Sequence, residues 1–190
     1  MKKVLGIVGS PRRNGNTHLL VSKILEGAEK AGLSTECVFL RDLSIKECDG
    51  CHVCWQGKEC SKKDDMNWVY PKLAESDALV FGTPVYWYAP AALMKGFIDR
   101  FVYFNCPENR GKIKGKSAVV VVPFEETDPD TAAPLEHFFE SCFQYLEMNF
   151  LDRLIVPGVT EKGEVFKHTK FMKEAFEIGK KLTRSFSDKG

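Results

Sequence analysis

At 190 residues the chain suits one domain with a substantial core, since two would each be small. Lys plus Arg total 27 against 26 Asp plus Glu, and no basic run exceeds short clusters such as Lys62-Lys63, so the electrostatic footprint of a nucleic-acid binder is absent. The first apolar run is stopped by Ser10-Pro11-Arg12-Arg13 before it can form a signal peptide, and no stretch approaches the ~18 apolar residues of a membrane span, so a cytoplasmic protein without a membrane partner is expected.

In chain order, strand-like runs alternate with helix-like ones. Residues 3–9 read as a strand, followed by the polar turn Gly9-Ser10-Pro11-Arg12-Arg13-Asn14-Gly15-Asn16-Thr17. Residues 17–31 set Leu20, Ile24, Ala28 and Ala31 on one stripe and stop at Gly32, a helix. A second strand, 35–40, leads into the connection 41–65, which is longer than a usual βα link and holds Cys48-x2-Cys51-x2-Cys54-x5-Cys60. Asp64-Asp65 reads as a cap on the helix that follows. After strand 78–83, the loop Thr83-Pro84-Val85-Tyr86-Trp87-Tyr88-Ala89-Pro90 runs into a helix that starts near Pro90, on which Lys95, Asp99 and Arg100 read as a solvated face. Strand 117–122, helix 131–148, strand 153–157 and helix 169–186 complete the chain. The alternation predicts an open doubly wound α/β sheet of five parallel strands. Its ligands are expected beyond the carboxyl ends of the strands, lined by loops 10–16, 84–90 and 123–130.

The first loop lacks both the Gly-x-Gly-x-x-Gly of a dinucleotide site and the Gly-Lys-Ser/Thr of a P-loop. It does offer Ser10, Asn14, Asn16 and Thr17 as polar donors, Arg12 or Arg13 as a charged fork, and the N–H groups of a helix start, a set that suits a phosphate monoester and hence a mononucleotide. The plainer reading is a polar turn that only caps the helix. Three consecutive aromatics in loop 83–90 cannot all face a core, so at least one is expected to meet a flat ligand, the plainer alternative being a cover for the strand end or an oligomer contact.

With these loops in place the chain resembles the flavodoxin-like NAD(P)H-dependent FMN reductase family, and within it the iron–sulfur flavoprotein branch. The likeness runs through Gly9-Ser10-Pro11-Arg12 with Gly15-Asn16-Thr17, the cysteine loop, Asp64-Asp65-Met66, Ser76-Asp77, Gly82-Thr83-Pro84-Val85-Tyr86 and Leu93-x-Lys95-x-Phe97-Ile98-Asp99-Arg100, with Gly158-x4-Gly163 a weaker echo. The resemblance implies strand order 2-1-3-4-5 in a single FMN-binding domain over 1–190, with 41–65 as a cysteine-rich insertion. It implies an FMN phosphate held by Ser10, Arg12, Asn16 and Thr17, and an isoalloxazine resting on Pro84, Val85, Tyr86 and Trp87; Asn14 and Phe124, in the first and third ligand loops, are expected to join the cofactor-binding residues. NAD(P)H is the implied electron donor, and a homodimer or homotetramer the implied assembly. The chain departs from relatives in Pro123-Phe124-Glu125-Glu126-Thr127, where small or glycine-rich residues are usual.

Three readings of Cys48, Cys51, Cys54 and Cys60 stand side by side: four ligands of a [4Fe–4S] cluster, a zinc site, or free and reversibly oxidised thiols. Cys37, Cys106 and Cys142 read as small hydrophobes, and the four histidines suggest no catalytic constellation. The expected function is thus an FMN-dependent oxidoreductase or electron carrier, in which a cluster relays electrons to FMN and a redox protein is a conceivable partner. The alternatives are a plain NAD(P)H-dependent FMN or quinone reductase and a non-enzymatic redox or metal sensor.

Overall fold

The structure, a computed structural model, describes residues 1–187, so the last three positions of the expected 1–190 unit lie outside it. The elements begin with β1 (Lys3–Val8), α1 (Asn16–Lys30), β2 (Ser34–Phe39), α2 (Met66–Glu75), β3 (Ala78–Gly82), the short strands β4 (Val85–Tyr86) and β5 (Ala89–Pro90), and α3 (Ala92–Asp99). They continue with α4 (Pro107–Arg110), β6 (Ser117–Pro123), α5 (Ala133–Tyr145), β7 (Asn149–Val156), α6 (Thr169–Lys181) and α7 (Arg184–Ser187).

The runs of continuous apolarity become the strands covered on both faces: β3 and β6 are buried throughout, and β1 at every position but its first. Five parallel strands pair in the order β2-β1-β3-β6-β7, the expected 2-1-3-4-5. α1 and α6 cover one face through Leu20, Val21, Ile24, Ala175 and Ile178. α2, α3 and α5 cover the other through Val69, Leu73, Phe97, Leu135 and Phe139, packed on Leu5, Ile7, Phe81 and Val120.

Two local devices hold α1. At its end, Leu33 N–H donates to Ala28 O (3.0 Å) and Gly32 N–H to Glu29 O (2.9 Å), with Gly32 at φ +86°, a left-handed helix stop that glycine tolerates at no steric cost. Along its flank, Gly27 and Gly179 let the backbones of α1 and α6 touch: a Cβ at Gly27 would lie 2.1 Å from Phe176 O, and one at Gly179 1.9 Å from Ile24 O.

The structure differs from the sequence expectation in four places. β7 starts at Asn149 rather than 153, because its first half pairs with β6 as an edge strand with one face in solvent and so lacks a continuous apolar run. The helix expected over 169–186 breaks at Leu182 and resumes as α7. Pro90 does not open a helix but pairs with Val85 in the β4–β5 hairpin, and α3 begins two residues later. Arg100, expected on a solvated face, is 1 % exposed, because the chain tightens into 3₁₀ turns after α3 and turns this side chain beneath the cysteine loop. No helix among the described residues is long and apolar enough to cross a membrane.

Candidate functional site

β1 and β3 end side by side, with Gly9 N–H donating to Gly82 O at 2.8 Å, and the loops after them open away from each other as the strand order reverses. Between them lies a cleft of about 200 Å³, lined by Ser10, Arg12, Gly15, Asn16 and Thr17 on one side and Pro84, Val85 and Tyr86 on the other. Its floor is Pro123 to Glu126, and its far wall is Val159, Thr160 and Lys162. The first turn of α1 points its N–H groups into this space, where a helix start has no intrahelical acceptors and carries a partial positive charge.

The first loop is shaped by its own side chains. Ser10, nearly fully buried, accepts from Arg12 N–H at 3.2 Å, and Arg12 Nη1 reaches across to Thr160 O at 3.3 Å. Asn16 fastens the cleft's two walls: its Nδ2 donates to Glu161 O at 3.0 Å and its Oδ1 accepts from Val165 N–H at 3.1 Å. Asn14 takes a left-handed conformation, φ +55°, and its N–H donates to His18 Nδ1 at 3.0 Å. Burial, reinforced by the Arg13 charge, holds the His18 imidazole below its ordinary value, in keeping with Nδ1 acting as an acceptor.

At the opposite end, Thr83 caps the hairpin from within, its Oγ1 accepting from Ala91 N–H at 3.0 Å. The turn residues Trp87 (φ +50°) and Tyr88 (φ +62°) both sit in the left-handed region, as a two-residue hairpin turn requires and as bulky side chains resist. Trp87 is 95 % exposed. The floor is pinned to the strand beyond it, Phe124 N–H donating to Val156 O and Gly158 N–H to Glu126 O.

The cysteine loop makes a second concavity. Cys48, Cys51, Cys54 and Cys60 all line one small cavity of about 20 Å³, together with His52, Lys62, Tyr70, Tyr103 and Arg100. That is room for about one water. Cys51 Sγ lies 3.1 Å from Ser61 Oγ, and Arg100 Nη2 donates to Cys60 Sγ at 3.2 Å. Burial, with Cys60 close by, pushes the Cys54 thiol up. Among the described residues no three His, Cys, Asp or Glu side chains stand as a preformed metal site. Burial alone would raise the Asp64 carboxyl, but its hydrogen bonds from Arg100 and from the Lys46 and Met66 N–H groups outweigh that and hold it below the ordinary range. Outside the loop, burial and the Glu36 charge push the Cys37 thiol up to about 11, as befits a small hydrophobe.

Of the residues singled out from sequence, Ser10, Arg12, Asn16, Thr17, Pro84, Val85, Tyr86 and Phe124 come together at the cleft. Asn14 and Trp87 do not: Asn14 is exposed, with its backbone N–H on His18 Nδ1, and Trp87 forms the hairpin tip. Sequence reasoning missed Val159, Thr160 and Lys162. The signal was present, since a crevice beyond the carboxyl ends of parallel strands is lined by the loop after the last strand as well as those after the first, third and fourth.

A sequence model described as NADPH-dependent FMN reductase matches residues 2–160. An iron–sulfur flavoprotein of Archaeoglobus fulgidus is 30 % identical over 189 residues, covering 98 % of this chain and 81 % of that one. A second iron–sulfur flavoprotein of the same organism is 44 % identical over 98 residues, 52 % of this chain and 48 % of that one. In several such matches the aligned part is about half of the relative's length. Among solved structures, a Trp repressor binding protein of Bacillus subtilis superposes with a TM-score of 0.71 over 93 % of this chain and 98 % of that one, at 22 % identity, a likeness of fold.

Proposed function

The chain belongs to the NADPH-dependent FMN reductase family, in its iron–sulfur flavoprotein branch, and from that premise we propose that it is an FMN-dependent oxidoreductase that takes electrons from NAD(P)H and relays them between FMN and a [4Fe–4S] cluster. The observation that carries the flavin half is the cleft itself: a helix start and Arg12 at one end and an aromatic hairpin at the other, across the point where the strand order reverses. That donor set fits FMN, with the cationic end for the phosphate and the apolar end for the ring. The chemistry the bound flavin supplies is acceptance of a hydride and release of single electrons.

Within this reading the chain's own residues bind and orient. The N–H groups of α1's first turn and the Arg12 guanidinium hold the phosphate, while Ser10 and Asn16 keep the loop in the shape that presents them. Val85, Tyr86 and Phe124 wall the ring end and exclude water. Glu125 and Glu126 on the floor disfavour negative charge accumulating beside them, which lowers the reduction potential of whatever the cleft holds. No side-chain acid or base is required.

The cluster half rests on the donor set of the second cavity: four thiols, the ligand number of a [4Fe–4S] centre, around one space beside a buried cation. The 20 Å³ space holds about one water, and the loop around it has no regular secondary structure apart from short 3₁₀ turns. The same small volume favours the second reading, a plain FMN reductase with a thiol loop. Anaerobic reconstitution with iron and sulfide separates them: about four irons per chain, lost on Ser substitution of Cys48, Cys51, Cys54 or Cys60 but kept in Cys37→Ser and Cys142→Ser, is the expected result. Protein that binds FMN and oxidises NAD(P)H but holds no iron is the plain reductase. A colourless protein that ignores added FMN is neither, and points to a sensor. The reading includes one FMN-binding unit and a homodimer or homotetramer in which Trp87 and Tyr88 meet a second copy; a monomeric mass by light scattering at micromolar concentration removes that assembly.

A further inference from the structure

Arg100 is among the largest fully buried side chains of the molecule, and a buried guanidinium persists only where its N–H groups find acceptors. Its fork is engaged on two sides. Nη1 donates to Asp64 Oδ2 at 2.5 Å and to Lys46 O at 2.7 Å; Nη2 donates to Asp64 Oδ1 at 3.2 Å and to Cys60 Sγ at 3.2 Å. Asp64 is equally buried, its side chain 1 % exposed, and is itself fixed by Lys46 N–H at 2.9 Å and Met66 N–H at 3.1 Å. Two contacts from Asp64 to two different nitrogens set the plane of a rigid fork, and that plane leaves the remaining Nη2 proton directed at the sulfur. Neither packing nor helix capping requires a full positive charge against a cysteine.

We propose that Arg100, held in plane by Asp64, is a positioning residue that places a hydrogen bond and a positive charge on the Cys60 sulfur and so raises the reduction potential of the iron–sulfur cluster. This rests on the cluster reading above. Cluster potentials respond to net charge and to hydrogen bonds on the ligating sulfurs, and a fixed cation favours the state that carries one more electron. The effect is enlarged by burial, where charge is poorly screened. Asp64 acts in the opposite sense, as a nearby negative charge, while being the group that aims the fork.

The test uses anaerobically reconstituted full-length protein carrying both FMN and iron, with the cluster potential followed by paramagnetic resonance and the flavin potential by visible absorbance in the same titration. Arg100→Gln is expected to keep its iron and shift the cluster equilibrium toward the oxidised form about tenfold, or about 59 mV lower for a one-electron couple, with the flavin potential unchanged. Arg100→Lys, which keeps the charge and loses the fork, is expected to recover part of the shift. A merely structural residue would not move the potential of a protein that keeps its iron. If Arg100→Gln fails to fold, Arg100→Lys carries the test, with a cluster potential below that of the wild type. A loaded Arg100→Gln or Arg100→Lys protein with the wild-type cluster potential overturns the proposal alone. Wild-type protein that holds no iron and sulfide overturns the cluster reading and this proposal with it.

Discussion

Asn16 lines the cleft, yet both ends of its amide are taken up by the main chain of residues 161 and 165. Anion binding is thereby left to the N–H groups of the helix start and to Arg12, whose guanidinium hydrogen bond to Thr160 O is long and exposed. Arg12→Ala is expected to weaken FMN binding about 10- to 100-fold, since a charge-assisted hydrogen bond contributes ~1.5–3 kcal/mol. Riboflavin, which lacks the phosphate, is expected to bind both proteins alike in a fluorescence titration; equal FMN affinity would remove the phosphate loop. A second residue-scale expectation concerns acid. Asp77 accepts from Lys2 Nζ and Lys3 N–H, each at 2.8 Å, and Glu36 lies between Lys3 and Lys72. Burial would raise both carboxyls, but these partners outweigh it and leave them below their ordinary values of 3.8 and 4.5. A carboxyl lowered in the folded state contributes fully above its unfolded value and loses that contribution as pH falls through the folded one. Urea midpoints should therefore hold down to about pH 4.5 and decline below it, less steeply in Asp77→Asn; parallel profiles would exclude Asp77 as a cause. Sequence spacing displays none of these pairs. Arg100 looked solvated because its partner Asp64 is 36 residues away, and only the folded chain brings the two together beneath the cysteine loop.

Among the elements, the solvent-facing first half of β7 carried no apolar run, whereas β1, β3, β6 and α1 were legible because their signals are local: apolar runs, a stripe at helical spacing and a glycine stop. The β4–β5 hairpin was not, since strands of two residues are too short to display a period and its turn carries no glycine. That turn has a testable cost. A non-glycine residue in the left-handed region is disfavoured by ~1–2 kcal/mol, and glycine is not. Tyr88→Gly is therefore expected to raise Tm by a few degrees in calorimetry of the flavin-free protein, at about 2–4 °C per kcal/mol for a chain of this size. A lowered Tm would mean that contacts of the Tyr88 ring outweigh the strain of its backbone.

For the whole molecule, the order of the sheet followed from the resemblance, and the crevice from the doubly wound topology, while the wall at Val159, Thr160 and Lys162 emerged only with the chain folded. The contact of α1 with α6 was equally hidden, because Gly27 and Gly179 each look like an ordinary small residue in a helix until the two backbones meet. Gly179→Ala would drive a methyl group into Ile24 O and is expected to lower stability by ~1–3 kcal/mol, read as a fall in the urea midpoint. An unchanged midpoint would mean that α6 shifts freely to make room. Through that contact α6 splints the helix whose first turn faces the cleft. Affinity in this protein accordingly has a mechanical component: slackening α6 leaves every cleft-lining side chain in the sequence and still forfeits preorganisation, a loss that calorimetric titration of Gly179→Ala with FMN would register as a larger entropic penalty.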